Sequence, residues 1–201
     1  MPVAINQRSQ QNRWWTFMAR TVGICDIRRE AVDLFFTQGF HAVSLRKLAS
    51  AVGLEAGSLY HHIDSKQELL FEIVEEYEAT LLHKVKAKSR NATDREQQLR
   101  VYVTNYISFM LKNRQSCVLS ARELHALTDA QRERVLALRR NQMAILVAIL
   151  GVSDCADIAR LINVVRSMLV GVIDWLPQDG ADIGKATNDI CRIILATISP
   201  Q

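Results

Sequence analysis

A chain of 201 residues that is 49% apolar, with only three prolines and eight glycines, is long enough to bury a substantial core and too apolar to stay disordered. Its charge is uneven: of 25 Lys/Arg and 21 Asp/Glu overall, residues 1–66 hold eight and five, a local basic excess suited to a polyanionic partner. No run approaches the roughly 20 apolar residues that a membrane span needs, and the N-terminus lacks an apolar signal core, so a cytoplasmic protein with no membrane partner is expected.

Residues 1–24 form a polar arm with Arg8, Arg13 and Arg20 around Trp14-Trp15-Thr16-Phe17. Two readings stay open for it: a basic arm able to enter a DNA minor groove, or a frayed terminus. Residues 27–40 carry the next helical pattern. From Ser44 to Leu69 the chain reads SLRKLASAVGLEAGSLYHHIDSKQEL. Ser44 is placed to cap one short helix, Gly53 supplies the turn, and Glu55 to Ile63 supplies a second short helix. Ser65-Lys66-Gln67-Glu68 is an S-x-x-E capping box that starts a third.

This stretch resembles the N-terminal domain of the TetR family of bacterial transcriptional regulators in Ser44, Arg46, Leu48, Ala49, Gly53, Leu54, Gly57, Leu59, Tyr60, His62, Ile63, Ser65, Lys66 and Leu69. Arg29-Glu30-Ala31, Leu34-Phe35 and Gly39-Phe40 extend the likeness upstream, so it covers about the first third of the chain. Glu55 stands where the family usually has Ser or Thr. The resemblance implies a helix-turn-helix that reads double-stranded DNA. Ala56, Gly57 and Ser58 would lie near base edges, Arg46 would reach a guanine, and Ser44, Lys47, Tyr60, His61, His62 and Lys66 would meet phosphate or flanking groups. Glu55 would repel phosphate or accept from a cytosine amino group. Gly57 is a poor helix former, which fits close approach of a partner better than it fits stability.

Beyond residue 70 the helical patterns continue: a long helix to about Arg90, another opened by Thr93-Asp94-Arg95-Glu96, a segment from Val118 to Leu127, and a helix from the Thr128 box to Leu150. Two strongly apolar helices follow, one opened by Ser153-Asp154 and ending at Leu176, the other from Ala181 to Ile198. The expectation is an all-α protein of about nine helices, divided into an arm (1–24), a three-helix DNA-binding domain (25–70) and a helical bundle (71–201) for ligand binding and dimerisation. The last two helices are apolar on more than one face, which marks Val165, Met168, Leu169, Ile173, Ile190 and Ile194 as homodimer contacts. Tyr102, Tyr106, Phe109, Met110, Met143, Met168 and Val172 combine apolar volume with hydroxyls and are candidates to line a ligand pocket, with Arg122, Glu123, Arg139 and Arg140 for polar ligand parts.

Gly171, Trp175, Pro177 and Gly180 resemble a stretch of family members that sense fatty-acyl or acyl-thioester ligands, which adds Trp175 to the ligand set. No G-x-S-x-G, P-loop, G-x-G-x-x-G or H-E-x-x-H motif is present, so no enzyme activity is expected. The cysteines at 25, 117, 155 and 191 have no zinc-ligand spacing, and His61-His62 stands without a spaced partner, so neither metal nor cofactor is expected. The functional expectation is a repressor released from a palindromic operator by a mainly apolar small-molecule effector. The alternative is a redox- or partner-sensing regulator without such a ligand.

Overall fold

Helix α1 (Ile24–Gln38) buries Ile27, Ala31, Leu34 and Phe35, a single stripe at helical spacing. It ends at Gly39, whose φ of 83° is open to glycine at no steric cost. In this computed structural model, which describes residues 22–89, 94–152, 156–177 and 182–198, the expected arm falls almost wholly outside the described residues. Helix α2 (Leu45–Ala51) starts at Ser44, whose Oγ accepts the Lys47 N–H at 3.2 Å. The chain turns at Gly53 (φ 74°) while the Leu54 N–H reaches back to the Ala49 carbonyl at 2.8 Å, closing the turn. Helix α3 is short, Ala56–Leu59, and one further turn carries His62, whose N–H bonds the Leu59 carbonyl at 2.9 Å.

Helix α4 (Lys66–Ser89) begins where Ser65 Oγ accepts the Glu68 N–H at 2.9 Å. Helix α5 (Arg95–Lys112) is capped by Asp94, whose Oδ1 accepts the Gln97 N–H at 2.7 Å; Thr93, expected to share that role, lies outside the described residues. The segment read as Val118–Leu127 is two elements, α6 (Arg114–Arg122) and a 3₁₀ turn (Leu124–Ala126). Helix α7 (Asp129–Leu150) has the full reciprocal box expected at Thr128 and Gln131, and stops at left-handed Gly151. Helices α8 (Ala156–Trp175) and α9 (Ile183–Ile198) complete the described chain. The proposed openings at Ser153-Asp154 and Ala181 are outside the described residues.

Two apolar cores organise these helices. In the bundle, α5 is central and packs on α4, α7, α8 and α9, burying Leu99, Tyr102, Val103, Tyr106, Ile107 and Met110. The N-terminal core joins Ile27, Phe35, Leu48, Leu59 and Leu70 to Leu119, Ala126, Leu127 and Val135. Those last four residues lie on α6, in and just after the 3₁₀ turn, and on α7, and α4 contributes to both cores. The expected boundary at residue 70 therefore falls inside a continuous helix. Polar links follow the same seam. Gln67 Nε2 donates to the Ala126 carbonyl at 2.6 Å and Gln131 Nε2 to Glu68 at 2.8 Å. Arg28 bonds Glu72 at 2.6 Å and Glu76 at 3.2 Å, and Gln115 reaches Asp33. Glu68, expected to close its own box, spends its carboxylate on α7.

Candidate functional site

The α2–α3 corner sorts its residues by side. Leu48, Ala49, Leu59 and Ile63 are buried in the N-terminal core, which fixes the angle between the two short helices. The other face carries Ser44, Arg46, Lys47, Glu55, Gly57, Tyr60, His61 and His62, all exposed, with Ala56 and Ser58 half-buried. Tyr60 leaves 59% of its surface open, a large exposure for an aromatic ring. Around Gly57 a Cβ would meet no described residue within 4 Å, so none of the described residues requires glycine there. Glu55 occupies the N-cap position of α3 without a side-chain capping bond, and Lys47 bonds Gln38 on α1.

Lys66 departs from the expected phosphate role. Its Nζ donates to the carbonyls of Phe40 and Val43, each at 2.8 Å, and stands 4.3 Å above the Phe40 ring. Burial lowers the pKa of this ammonium. Two of its three donors thus hold the α1–α2 turn against the start of α4.

The expected pocket residues are not brought together. Tyr102, Tyr106, Met110 and Val172 are sealed in the bundle core, and the Tyr102 hydroxyl already donates to the Gln142 carbonyl at 3.0 Å. Burial raises the pKa of both tyrosines, so their hydroxyls stay protonated. Phe109 lines a separate cleft of about 310 Å³ beside α1. Arg122 is exposed, and Met168 and Trp175 line a groove between α8 and α9. A stripe at helical spacing reads equally as core or pocket, and here most of it is core.

The open cleft lies between α7 and α8, has a volume of about 530 Å³, and is lined by Arg139, Arg140 and Arg166 beside Met143, Val147 and Ile162. Of the expected ligand set it contains Met143; Arg139 and Arg140 also line it. Arg139 continues inward. Its Nε donates to Glu78 Oε1 at 2.8 Å, and its Nη2 to the Ser120 carbonyl at 2.7 Å and hydroxyl at 2.6 Å. Gln142 Nε2 donates to Glu78 Oε2 at 2.8 Å. Among the described residues, Arg166 Nε and Gln142 Oε1 are buried without a hydrogen-bond partner. Arg139 and Arg166 also wall a void of about 10 Å³ with Tyr77, Tyr106 and Cys117, room for about one water.

The dimer assignment needs the same correction. Val165, Leu169, Ile173, Ile190 and Ile194 are buried within their own chain. The surplus apolar face is instead Val164, Trp175 and Ile193, exposed at 56%, 61% and 44%, with Met168 half-buried beside them. Sequence showed that two faces were apolar; it did not show which residue turned inward.

An exposed helix-turn-helix joined by one long helix to an all-α bundle is the two-part architecture of TetR-type proteins. The chain belongs to the TetR family: the profile "Bacterial regulatory proteins, tetR family" matches residues 27–73 and "Tetracyclin repressor-like, C-terminal domain" matches residues 92–198. The HTH-type transcriptional activator FasR of Mycolicibacterium smegmatis is 30% identical over 80 residues, covering 40% of this chain and 36% of that protein. The HTH-type transcriptional repressor KstR2 of Rhodococcus jostii is 35% identical over 74 residues, covering 37% and 36%. The chain thus matches little over a third of the length of these relatives. Among solved structures, the regulator PfmR from Thermus thermophilus aligns with a TM-score of 0.73 at 29% identity, over 87% of this chain and 99% of that one. FadR from Bacillus subtilis in complex with stearoyl-CoA aligns at 0.68 and 15% identity, over 86% and 98%, a likeness of fold.

Proposed function

We propose that this protein is a ligand-responsive repressor, released from a palindromic operator by an amphipathic anion such as a fatty-acyl thioester. The observation that carries the reading is the α7–α8 cleft, where Arg139, Arg140 and Arg166 stand beside Met143, Val147 and Ile162. Guanidinium groups suit phosphate or carboxylate, and the methionine and aliphatic side chains suit an acyl chain. FadR, of the same fold, was solved with stearoyl-CoA, which supports this chemical class.

Arg139 couples the cleft to the reading head. A ligand anion competes with Glu78 for this guanidinium, and Glu78 sits on α4, whose first turn holds the α1–α2 turn through Lys66. Two copies joined through Val164, Met168, Trp175 and Ile193 would present two heads to two half-sites. The ligand then acts by its differential affinity for the two head spacings: a hundredfold loss of operator affinity needs about 2.7 kcal/mol in total.

Titrating acyl-CoAs of increasing chain length against a preformed operator complex tests this. Release that strengthens with chain length in the wild type and weakens in Arg140→Ala and Arg166→Ala is expected. No response at any length would sink the acyl reading. The redox alternative is disfavoured at two of the cysteines, because burial pushes the Cys117 and Cys191 thiols up to about 11, away from reactive thiolate.

A further inference from the structure

His41 is distant in sequence from Glu123 and His125, and the fold brings the ligand atoms of all three within 4.8 Å of one another. His41 lies in the α1–α2 turn, whereas Glu123 and His125 flank and occupy the 3₁₀ turn after α6. The cluster therefore spans the seam between the reading head and the bundle. We propose that it is a transition-metal site of the zinc class, with a His₂Glu donor set and an open fourth position for water.

Three features carry this. The His125 Nδ1 lies 3.0 Å from the Arg122 carbonyl; a carbonyl only accepts, so Nδ1 is the donor to it and Nε2 is the ring nitrogen turned toward Glu123. That is the outer-shell bond that orients a metal-binding imidazole. The Glu123 side chain is only 13% exposed, and its Oε2 approaches that same Nε2 at 3.9 Å. Among the described residues this is the one ion pair its carboxylate makes, and 3.9 Å is too long for a hydrogen bond. Finally, the His41 ring lies 5.6 Å from the His125 ring, at 30° to it, and is backed edge-on by Phe40 at 5.2 Å.

Around tetrahedral zinc, with bonds of about 2.0–2.2 Å to N and O, donor atoms sit about 3.4 Å apart. The cluster needs to contract by up to about 1.4 Å, within reach of side-chain rotation because His41 and His125 are both exposed. Two imidazoles and one carboxylate suit zinc and its first-row neighbours rather than calcium or magnesium. Spacing concealed the site, because neither histidine has a ligand partner at a motif offset. An ion held here would pin the turn before α2 to the segment after α6.

The test uses untagged full-length protein and zinc alone, without DNA, so its outcome is independent of the acyl-effector reading. Calorimetric titration should give one zinc per chain. His41→Ala and His125→Ala should each weaken binding by about tenfold or more, and the double variant His61→Ala with His62→Ala should leave it unchanged. Far-UV circular dichroism confirms that each variant is folded. In the wild type, Co²⁺ substitution should give tetrahedral d–d bands with no thiolate charge-transfer band. Stoichiometric binding absent from the wild type, binding that survives either His41→Ala or His125→Ala, or a thiolate band in the cobalt spectrum would each overturn the proposal.

Discussion

Gly57 and Lys66 show how residues inside one motif divide between partner and fold. No described residue comes within 4 Å of where a Gly57 side chain would stand, so Gly57→Ala should leave thermal stability unchanged or raise it by up to about 1 kcal/mol, the helix-propensity gain. Operator binding should fall all the same, because the added methyl group faces the partner. Melting curves and a fluorescence anisotropy titration check the two halves separately. Lys66→Met should behave in the opposite sense. Losing two charge-assisted bonds to the Phe40 and Val43 carbonyls should destabilise the protein by about 1.5–3 kcal/mol, read by urea unfolding. An unchanged urea midpoint would return Lys66 to the phosphate-binding set.

At the scale of elements, α8 and α9 make the inward and outward faces testable by a pair of substitutions one residue apart. Ile193→Lys sits on the outward face and should convert the proposed dimer to a folded monomer, seen by sedimentation with an unaltered helical spectrum. Ile194→Lys places a charge among Leu169, Val172 and Ile190 in the bundle core and should unfold the chain, since an unpaired buried charge costs several kcal/mol. Equal effects from the two would refute the facing assigned here. Helix α4 supplies a second pair. Glu78→Gln leaves Arg139 buried without its counter-charge and should cost about 3–5 kcal/mol, whereas Glu78→Leu with Arg139→Met should restore most of that.

Most element positions were legible because they are signalled locally. Ser44, Ser65, Thr128 and Gly151 announce helix ends by their own chemistry. The break after Arg122 was missed, since no Gly or Pro marks it. Which of Ile193 and Ile194 faces inward, which arginines share a cleft, and the meeting of His41 with His125 depend on packing between distant segments. Local pattern carries no such information.

At the scale of the whole molecule, several acidic protons are held by burial. Cys117 and Cys191 are shifted up from 9.0 to about 11, chiefly by loss of solvent, and burial likewise raises Tyr77, Tyr102 and Tyr106. A raised folded-state value means that the native state retains protons which the unfolded chain releases. This stabilisation is complete below pH 9 and is lost as pH rises through 11. Urea midpoints should therefore decline across that window, and Cys191→Ala should flatten the decline. A midpoint constant from pH 8 to 11 would mean that these groups titrate alike in the folded and unfolded chain.

The shared N-terminal core also limits how portable the reading head is. Leu119, Ala126, Leu127 and Val135 fill it from the far side of the seam, so a head excised near residue 70 and fused to another bundle would carry an open apolar wound. A working chimera has to transplant the floor with the head: α6, the 3₁₀ turn and the first two turns of α7. Recombination between such regulators would therefore preserve sensing only when its breakpoints respect that non-contiguous unit.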